Sequence, residues 1–407
     1  MKIAIFTSKF PLISETFVIN QIIGLIDLGV EVDIIANEKP DHDLMHDSVE
    51  KYALLEKLQC IGLNTKKSKR NRILSTLLNS ASLIAKGKYR SLINVSLDSE
   101  LKLSQKMNLI SALKRFKGDP KQYDNIICHF GLNGYYVCKM RELGLISGPV
   151  STIFHGYEVS HYKVVDEYLS QYKCLFKKGD LMLPISKLWG NKLIEWGCHP
   201  SKVKIHRMGI DVDEFELRDT LRPLSKPLKI IQVGRLTEKK AILDSINAVA
   251  LASKIIDIDF TIIGDGDLFA KADELIKSLG ADCYIHLLGQ QPQTVVKRKL
   301  DEADVFLLPS VRATSGDMEG IPVSLMEAMA KGLITVSTYH SGIPELIENE
   351  ASGFLVQEHS VSELSEVLIK IASLSQVELE KIRLLARTTC LDEYNNGTLN
   401  HSILGLL

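Results

Sequence analysis

The 407-residue sequence is poor in several features that mark particular classes of protein. Its seven cysteines form no C-x-x-C pair, which argues against a zinc cluster or the disulfide framework of a secreted domain and indicates a reducing, cytoplasmic compartment. No run of about eighteen apolar residues occurs, so no membrane-spanning helix is predicted. The apolar core of the N-terminal MKIAIFTSKF is too short for a signal peptide, and this stretch is better explained as a first β-strand.

Motifs for bound cofactors are also scarce. None of the strand-like segments is followed by the dinucleotide fingerprint G-x-G-x-x-G, which argues against a nicotinamide enzyme. Three D-x-D triplets, at 211–213, 257–259 and 265–267, could hold a divalent metal that carries a diphosphate. Each has a sufficient structural explanation, as linker, strand entry or glycine-rich turn. We therefore expect neither a cofactor nor a required metal.

Basic residues are concentrated in residues 57–121, which carry 15 Lys and Arg but only 3 Asp and Glu. The basic clusters KKSKRNR and KGKYR flank the apolar stretch ILSTLLNSASLI. Basic amphipathic segments bind anionic membrane surfaces, and we expect this segment to face such a surface. A solvated helical hairpin without a partner is an equal alternative. Nucleic-acid binding is a remote alternative, since no aromatic platform for bases accompanies the lysines.

Short, β-branched apolar segments recur along the chain and alternate with helical patterns. The segments predicted as strands are 2–6, 32–36, 125–130, 151–155, 181–185, 202–206, 228–235, 259–266, 284–289, 304–309, 333–338 and 353–356. Such continuous runs are typical of buried parallel sheets. The pattern pauses at the polar segment 211–227, which two prolines close. The sequence predicts an α/β chain with doubly wound, Rossmann-like domains at 1–210 and 228–385, joined by a linker at 211–227.

The stretch EGIPVSLMEAMAKG, at 319–332, places two glutamates around an apolar helix. A proline at the first helical position and a glycine after the last predict a helix over 322–331. Glu319 then lies in the preceding loop, and Glu327 lies in the second turn among apolar residues. A carboxylate in such surroundings needs a partner. The structural alternatives are a salt bridge or a solvated edge, and the functional one is a ligand.

Other candidates follow strand ends, where doubly wound folds bind ligands. Arg235 and Lys240 in GRLTEKKA stand beside a predicted helix start, which suits a diphosphate, although cations are common there. Gly264 in IIGDGD would allow a ligand to approach the backbone. His155 in STIFHGYE and His129 in NIICHFG end neighbouring strands; a lone histidine is usually structural, but two could face the same cleft.

Taken in order, HGYE, VGRLTEKKA, IIGDGD, EGIPVSLMEAMAKG and SGIPELI resemble the motifs of the retaining glycosyltransferases of family four, over nearly the whole chain. That family has the GT-B fold, in which two Rossmann-like domains face a central cleft. The N-terminal KFPLISETFVINQI is most similar to bacterial enzymes that assemble exopolysaccharide, colanic-acid-type or O-antigen repeat units. The resemblance implies metal-independent transfer of a sugar from a nucleotide sugar, with retention of configuration.

The resemblance also implies roles for individual residues. Glu319 corresponds to the first glutamate of the family's E-x7-E motif, near the reacting carbon of the donor sugar, and Glu327 to the second, which binds the ribose. The implied catalytic residues are Glu319, His155, Arg235 and Lys240, with the two cations neutralising the leaving diphosphate. The other implied donor-binding residues are Gly234, Gly264, Gln290, Gln291, Gly320, Ile321, Pro322 and Val323.

The acceptor is expected on the N-terminal domain, beside the loop SKFPLISET. The acceptor-side residues are Phe10, Ser14, Glu15, His129, Tyr157 and Glu158. The sequence departs from the family pattern at Glu158, where aspartate is common, at Ala241, where glycine is common, and in this loop, which is not glycine-rich. Residues 386–407 are expected to form a helix that can return to the N-terminal domain.

These expectations favour an enzyme that transfers a sugar from a UDP- or GDP-sugar to a lipid-linked or oligosaccharide acceptor in bacterial surface polysaccharide synthesis. Its partners would be the nucleotide sugar, the acceptor and the anionic inner face of the cytoplasmic membrane, with no nucleic acid. A sugar-nucleotide epimerase of GT-B-like fold is the alternative enzyme. It would need acids and bases around C2 of the sugar, and the E-x7-E layout favours transfer.

Overall fold

The computed structural model describes residues 1–12, 15–40, 47–63, 68–116, 118–218 and 222–407, and within them the chain forms two parallel six-stranded sheets flanked by helices. The elements of the first half are β1 (Lys2–Lys9), α1 (Thr16–Asp27), β2 (Glu31–Glu38), α2 (Asp47–Lys51), β3 (Leu58–Cys60), α3 (Lys69–Ala85), α4 (Tyr89–Leu97), α5 (Leu103–Arg115), β4 (Lys121–Gln122), β5 (Asn125–His129), α6 (Gly131–Glu142), β6 (Ile146–Ser147), β7 (Val150–Phe154), α7 (Tyr157–Ser160), α8 (Tyr162–Lys178), β8 (Leu181–Pro184) and α9 (Lys187–Glu195). The elements of the second half are β9 (Leu228–Val233), α10 (Ile242–Ala252), β10 (Ile258–Ile263), α11 (Phe269–Ser278), β11 (Ile285–Leu287), α12 (Gln293–Glu302), β12 (Val305–Leu307), α13 (Val323–Ala330), β13 (Ile334–Thr338), β14 (Phe354–Val356), α14 (Val361–Ser373), α15 (Gln376–Glu393) and α16 (Asn396–Leu406).

Both sheets have the strand order of a doubly wound fold, which confirms the predicted class. The first sheet runs β3-β2-β1-β5-β7-β8 and the second β11-β10-β9-β12-β13-β14. All neighbouring strands within each sheet are parallel. The chain reverses its direction of winding beside β1 and beside β9, and ligand crevices of such folds lie there, at the carboxyl ends of the strands.

The segment 202–206, predicted as a strand, is not one. Val203 forms a single bridge to Met182 in β8, and the N–H groups of Lys204 and His206 donate to the carbonyls of Met182 and Pro184. Since β8 has only four residues and ends at Pro184, the pairing is too short to continue as a seventh strand.

The chain crosses between the halves near residues 210 and 395, where Ile210 and Asn395 form a parallel bridge. After this crossing α16 packs on α1, and Ile403 joins the core of the first half. The contact is close because α1 carries Gly24, where a Cβ would lie 1.8 Å from Nδ2 of Asn400. The last helix of the chain is therefore part of the first half.

The start of the segment expected to link the domains packs on the second half. Val212 and Phe215 are buried in the core that contains the apolar residues of α13. The guanidinium of Arg218 donates to the carbonyl of Ala303 at the end of α12. Residues 219–221 lie outside the described part of the chain.

The basic segment 57–121 contains α3, α4 and α5, which pack on one another at the surface. One face of α5 is buried and includes Leu109 and Leu113. By contrast, α3 and α4 each contribute a single fully buried residue to the core, Leu83 and Val95. Of the helices within the described residues, none combines the length and apolar character needed to cross a membrane.

We expect Gly264→Ala to lower the free energy of unfolding by about 2–4 kcal/mol, since it combines a steric clash with backbone strain. A Cβ at this position would lie 1.9 Å from the carbonyl oxygen of Gly234, and φ of Gly264 is +145°. Gly280→Ala is the control, because Gly280 has φ of +60° but open space around it, so that strain alone costs about 1 kcal/mol. Urea unfolding measures both, and equal losses would contradict the packing argument.

Candidate functional site

The carboxyl ends of the two sheets meet through backbone atoms. A Cβ on Gly320, before α13, would lie 2.6 Å from the carbonyl oxygen of His155, which follows β7. A Cβ on Gly156 would lie 3.2 Å from the nitrogen of Gly320, and Gly156 has φ of +136°, which favours glycine. The two glycines therefore allow the two halves to approach closely, and this contact is the centre of the candidate site.

Glu319 is held at this contact as a buried carboxylate, with 8% of its surface exposed. Its Oε1 lies 3.2 Å from Nζ of Lys240 and 3.9 Å from Nζ of Lys239. Burial raises the pKa of Glu319, but the two ammonium groups outweigh burial and lower the pKa below its ordinary value. Lys239 also pairs with Asp317 at 3.1 Å. The carboxylate is therefore ionised at neutral pH and held between two cations.

Lys240 lies in a short 3-10 turn, Glu238–Lys240, between β9 and α10. We expected it to open the helix, but α10 begins two residues later because Ala241 adopts a left-handed conformation with φ of +46°. The side chain of Gln232 donates to the carbonyl of Lys240 at 3.0 Å and fixes the turn. Arg235 is exposed at the end of β9 and forms no ion pair with any residue that the structure describes.

The structure confirms the predicted helix over 322–331 to within one residue at each end. Pro322 is the N-cap and Lys331 the C-cap of α13. Gly332 has φ of +76°, and the N–H of Leu333 donates to the carbonyl of Ala328 at 3.0 Å, which completes a Schellman motif. The signals at both ends of the sequence stretch were therefore sufficient to place this helix.

The start of α13 is free to bind an anion. In the described part of the chain, the N–H groups of Gly320, Ile321 and Val323 donate to no protein acceptor. They follow Glu319 directly in sequence, and Glu319 is paired with Lys240 and Lys239. Unpaired N–H groups at a helix N-terminus carry a partial positive charge and favour phosphate.

Glu327 lies on α13 and differs from Glu319 in its surroundings. Burial raises the pKa of Glu327 to about 7, while nearby Lys297 acts in the opposite direction and Glu214 adds to the rise. Lys297 is itself paired with Glu214 at 3.2 Å. Among described residues, no side chain forms an ion pair or hydrogen bond with the Glu327 carboxylate, so it is available to a ligand.

Both ring nitrogens of His155 are occupied within the first half of the chain. Nδ1 lies 3.1 Å from Sδ of Met208, and Nε2 lies 3.1 Å from Nδ1 of His129. A thioether only accepts, so Nδ1 of His155 carries the proton and His129 donates to Nε2. Phe17 and Phe130 pack on the ring, with centroids at 4.6 and 4.7 Å. Burial and the nearby histidines lower the pKa of His155 well below its ordinary value, so the ring is neutral.

Glu158 shapes the turn that presents His155. Its carboxylate accepts the N–H of His155 at 2.9 Å and that of Gly156 at 3.2 Å. Burial raises the pKa of Glu158 to about 7, although these N–H groups act against the rise. Its carboxylate is therefore directed into its own chain, and the expected contact with an acceptor has no support in its position.

The remaining acceptor-side candidates are scattered. Phe10 is 1% exposed and belongs to the first core, so its side chain does not line a cleft. Glu15 directly precedes α1, and burial raises its pKa. Tyr157 is half exposed on α7. Ser14 lies outside the described residues.

The remaining donor-binding candidates are a pair of glycines, Gly234 and Gly264, and a pair of glutamines, Gln290 and Gln291. Gly264 packs on Gly234, so its lack of a side chain is explained by the meeting of two strand ends. Gln290 is exposed after β11, and the side chain of Gln291 donates to the carbonyl of Leu288 at 2.7 Å. These glutamines lie at the carboxyl end of the second sheet, at its edge strand.

Several residues of the site were not predicted from the sequence. They are Phe17, Phe130 and Met208 around His155, Lys239 beside Glu319, and His340, whose Nε2 accepts the N–H of Glu319 at 3.1 Å. Only Lys239 carried a signal, as the neighbour of Lys240 in the same motif. Among the described residues, no group of three or more His, Cys, Asp or Glu side chains is arranged to hold a metal ion.

Comparison with known proteins gives consistent results. A family model described as "Glycosyl transferases group 1" matches residues 213–383. The chain is 40% identical over 409 residues to the putative colanic acid biosynthesis glycosyltransferase WcaL of Salmonella typhimurium, covering 100% of this chain and 99% of that protein. It is 39% identical over 399 residues to the amylovoran biosynthesis glycosyltransferase AmsK of Erwinia amylovora, covering 97% and 96% of the two chains.

Solved structures show the fold. The crystal structure of Anabaena Alr3699/HepE in complex with UDP-glucose is similar with a TM-score of 0.68 at 16% identity, covering 100% of this chain and 99% of that one. The likeness over both halves confirms the predicted GT-B fold, with two Rossmann-like domains.

The buried histidines predict a loss of stability in acid. Burial lowers the pKa of His206 to about 4, and its Nε2 lies 3.2 Å from the Gln21 amide nitrogen, which only donates. His206 is therefore protonated below pH ~6.5 in the unfolded chain but only below about pH 4 in the folded chain. We expect His206→Gln to make the decline of unfolding free energy with falling pH shallower by about 1.4 kcal/mol per pH unit in this window.

Glu158 and Glu327 have the opposite effect on stability: their raised pKa values let the folded state bind extra protons between about pH 7 and 4.5, which raises the unfolding free energy as the pH falls. The test is therefore the difference in slope between wild type and His206→Gln, in which the contribution of the glutamates cancels. Urea unfolding at several pH values measures the slopes. His401→Gln, on the surface of α16, is the control for loss of a histidine. Identical slopes for wild type and His206→Gln would contradict the assignment.

Proposed function

Because this chain belongs to the glycosyl transferases group 1 family, we propose that it transfers a sugar from a UDP- or GDP-sugar to a saccharide acceptor in the assembly of a bacterial surface polysaccharide. Glycosyltransferase activity follows from the family. The names of WcaL and AmsK, which refer to colanic acid and amylovoran, support the polysaccharide context, and the UDP-glucose bound to Alr3699/HepE supports a nucleotide-sugar donor.

The observation that carries the proposal is the meeting of lysines and free N–H groups at the buried Glu319. Departure of a nucleoside diphosphate places negative charge on its terminal phosphate. Lys240 and the N–H groups at the start of α13 can stabilise that charge, and Arg235, exposed after β9, would add a second cation. This arrangement can supply the electrophilic assistance for which some transferases use a metal.

Glu319 and Glu327 would hold opposite ends of the donor. Glu319, at the contact between the halves, would bind the sugar beside its reacting carbon. The Glu327 carboxylate, to which no described protein group is bonded, can accept both hydroxyls of a ribose. The base would then extend toward Gln290 and Gln291, beyond the edge of the second sheet.

We propose that the reaction retains anomeric configuration by attack on the face from which the diphosphate leaves. The new glycosidic bond forms as the bond to the diphosphate breaks, and the departing phosphate oxygen takes the acceptor proton. His155 would not supply that proton, because its ring is neutral and both of its nitrogens are bonded. It would instead support the sugar from the facing domain. An inverted anomeric product by NMR would contradict this course.

A lipid-linked acceptor and the cytoplasmic membrane surface are supported by an apolar patch on α3, α4 and the start of α5, which we name the α3–α4 face. Its large apolar residues are 43% to 78% exposed and comprise Ile73, Leu74, Leu77, Leu78, Ile84, Tyr89, Ile93, Leu97 and Leu103. The spacing of these residues places them on continuous stripes of their helices. Monomeric soluble proteins rarely expose such contiguous patches.

Basic residues lie beside the α3–α4 face in sequence. They are Lys69, Arg70, Arg72, Lys86, Lys88 and Arg90, while Lys66 and Lys67 lie outside the described residues. An exposed apolar stripe bordered by cations suits the interface of an anionic bilayer, where each cation near the surface adds about 1 kcal/mol. We propose that this face seats the enzyme on the inner face of the cytoplasmic membrane, where a lipid-linked saccharide can enter the cleft.

Glu319→Ala and Lys240→Ala should each lower turnover at least about 100-fold, because Glu319 would hold the sugar beside its reacting carbon and Lys240 would neutralise the leaving diphosphate. Lys254→Ala, at an exposed position two residues after α10, is the matched control and should retain wild-type turnover. Transfer from UDP- and GDP-sugars to a membrane-lipid extract measures activity, and thermal unfolding checks each variant's fold. Full turnover in both site variants would show that the site is wrongly assigned.

Replacing Leu74, Leu77 and Leu78 together by Ser should weaken binding to phosphatidylglycerol vesicles about tenfold or more, since three apolar side chains no longer enter the bilayer. The control replaces Leu251, Ile255 and Leu279, which are exposed elsewhere, by Ser. Vesicle sedimentation at low and high salt measures both, and salt should weaken wild-type binding. Equal binding by the two triple variants, or none by the wild type, would demote the α3–α4 face to solvated surface.

A further inference from the structure

The motif SGIPELI has no part in the proposed reaction, yet its first residue, Ser341, and the preceding His340 hold the main chain of Glu319. Nε2 of His340 accepts the N–H of Glu319 at 3.1 Å. The hydroxyl of Ser341 donates to the carbonyl of Glu319 at 2.6 Å. Both polar groups of the Glu319 main chain are therefore bonded to one turn after β13, which fixes the point from which its side chain reaches the lysines.

The bond to Glu319 also determines the tautomer of His340. A main-chain N–H only donates, so Nε2 must present a lone pair and Nδ1 must carry the proton. Nδ1 lies 2.7 Å from Oε1 of Glu358, and the other oxygen of Glu358 accepts the N–H of Arg312 at 2.9 Å. Because His340 is fully buried, water cannot replace either bond. The chain Glu358, His340, Glu319 thus has one consistent direction of donation.

We propose that His340, oriented by Glu358, is a positioning residue for Glu319 and serves only as the neutral Nδ1–H tautomer. This inference rests on the proposed function, in which the Glu319 carboxylate acts at the donor sugar. Protonation of His340 at Nε2 would set one N–H against another, and the bond that holds Glu319 would be lost. Turnover should then fall in acid even though the Glu319 carboxylate remains paired with Lys240.

The pH at which this happens depends on the charges that face His340. They are Glu358 after β14, Glu319 before α13 and Arg312 after β12. Burial lowers the pKa of His340, and Arg312 acts in the same direction, whereas the two carboxylates oppose the shift without overcoming it. The acid limb of turnover should therefore lie below the ordinary histidine value of about 6.5.

Two substitutions separate hydrogen bonding from shape. His340→Gln keeps an acceptor near the position of Nε2 but cannot titrate, whereas His340→Phe fills similar space without an acceptor. We expect His340→Phe to lower kcat about tenfold or more with donor KM changed less than about threefold, because the loss concerns the reacting geometry. His340→Gln should keep kcat within about threefold of wild type at pH 8 and should lack the acid limb.

Wild-type kcat and thermal midpoint in His340→Phe would overturn the proposal, as would an unchanged acid limb in His340→Gln. Should His340→Phe fail to fold, the pH profile of His340→Gln decides alone.

Nitrogen-15 NMR of histidine-labelled wild type gives a readout independent of turnover, with the His340 signals assigned by their loss in His340→Gln. The Nδ1–H tautomer at pH 7.5 is expected, and a charged or Nε2–H ring would overturn the proposal. If the wild type transfers no sugar, the proposed function fails while the tautomer result stands.

Discussion

The ion pair between Glu319 and Lys240 is the interaction on which the rest of the site depends. A buried carboxylate is strongly unfavourable unless counter-charges lie close to it, and Lys240 at 3.2 Å and Lys239 at 3.9 Å provide them. Removing one member of such a pair leaves the other buried and unpaired, which typically costs about 3–5 kcal/mol. In the proposed reaction the donor diphosphate brings a second anion to Lys240, so one lysine serves both the empty and the occupied site.

The pair can exist at this place because the two halves meet through glycine backbone. Gly156 and Gly320 bring the turn after β7 against the loop before α13, and no side chain separates them. The site therefore combines the proposed donor-binding edge of the second half with an aromatic and histidine cluster from the first, in which Phe17 packs on His155. In the proposed account the first half also carries the α3–α4 face, so the membrane and the acceptor would approach from the same domain.

Features that depend on residues close together in the chain, such as helix ends and strand positions, could be predicted from the sequence. Pro322 and Gly332 gave the bounds of α13, and alternating strands and helices gave two doubly wound sheets. The sequence could not reveal that Met208 occupies Nδ1 of His155, or that His340 binds the main chain of Glu319, because each bond joins segments brought together only by folding. The prediction of Phe10 on the acceptor side failed for a similar reason. A side chain that follows a strand can point into the core as readily as into a cleft, and that of Phe10 is buried in the core.

The most direct test of the central claim is the affinity for nucleoside diphosphates, measured by calorimetry with UDP and GDP on wild type, Glu319→Gln and Lys240→Gln. If Lys240 is shared between Glu319 and the diphosphate, Glu319→Gln releases the lysine and should bind the preferred nucleotide at least as tightly as wild type, yet transfer no sugar. Lys240→Gln should bind it at least about tenfold more weakly. Equal weakening in both variants, or unchanged affinity in Lys240→Gln, would contradict the account.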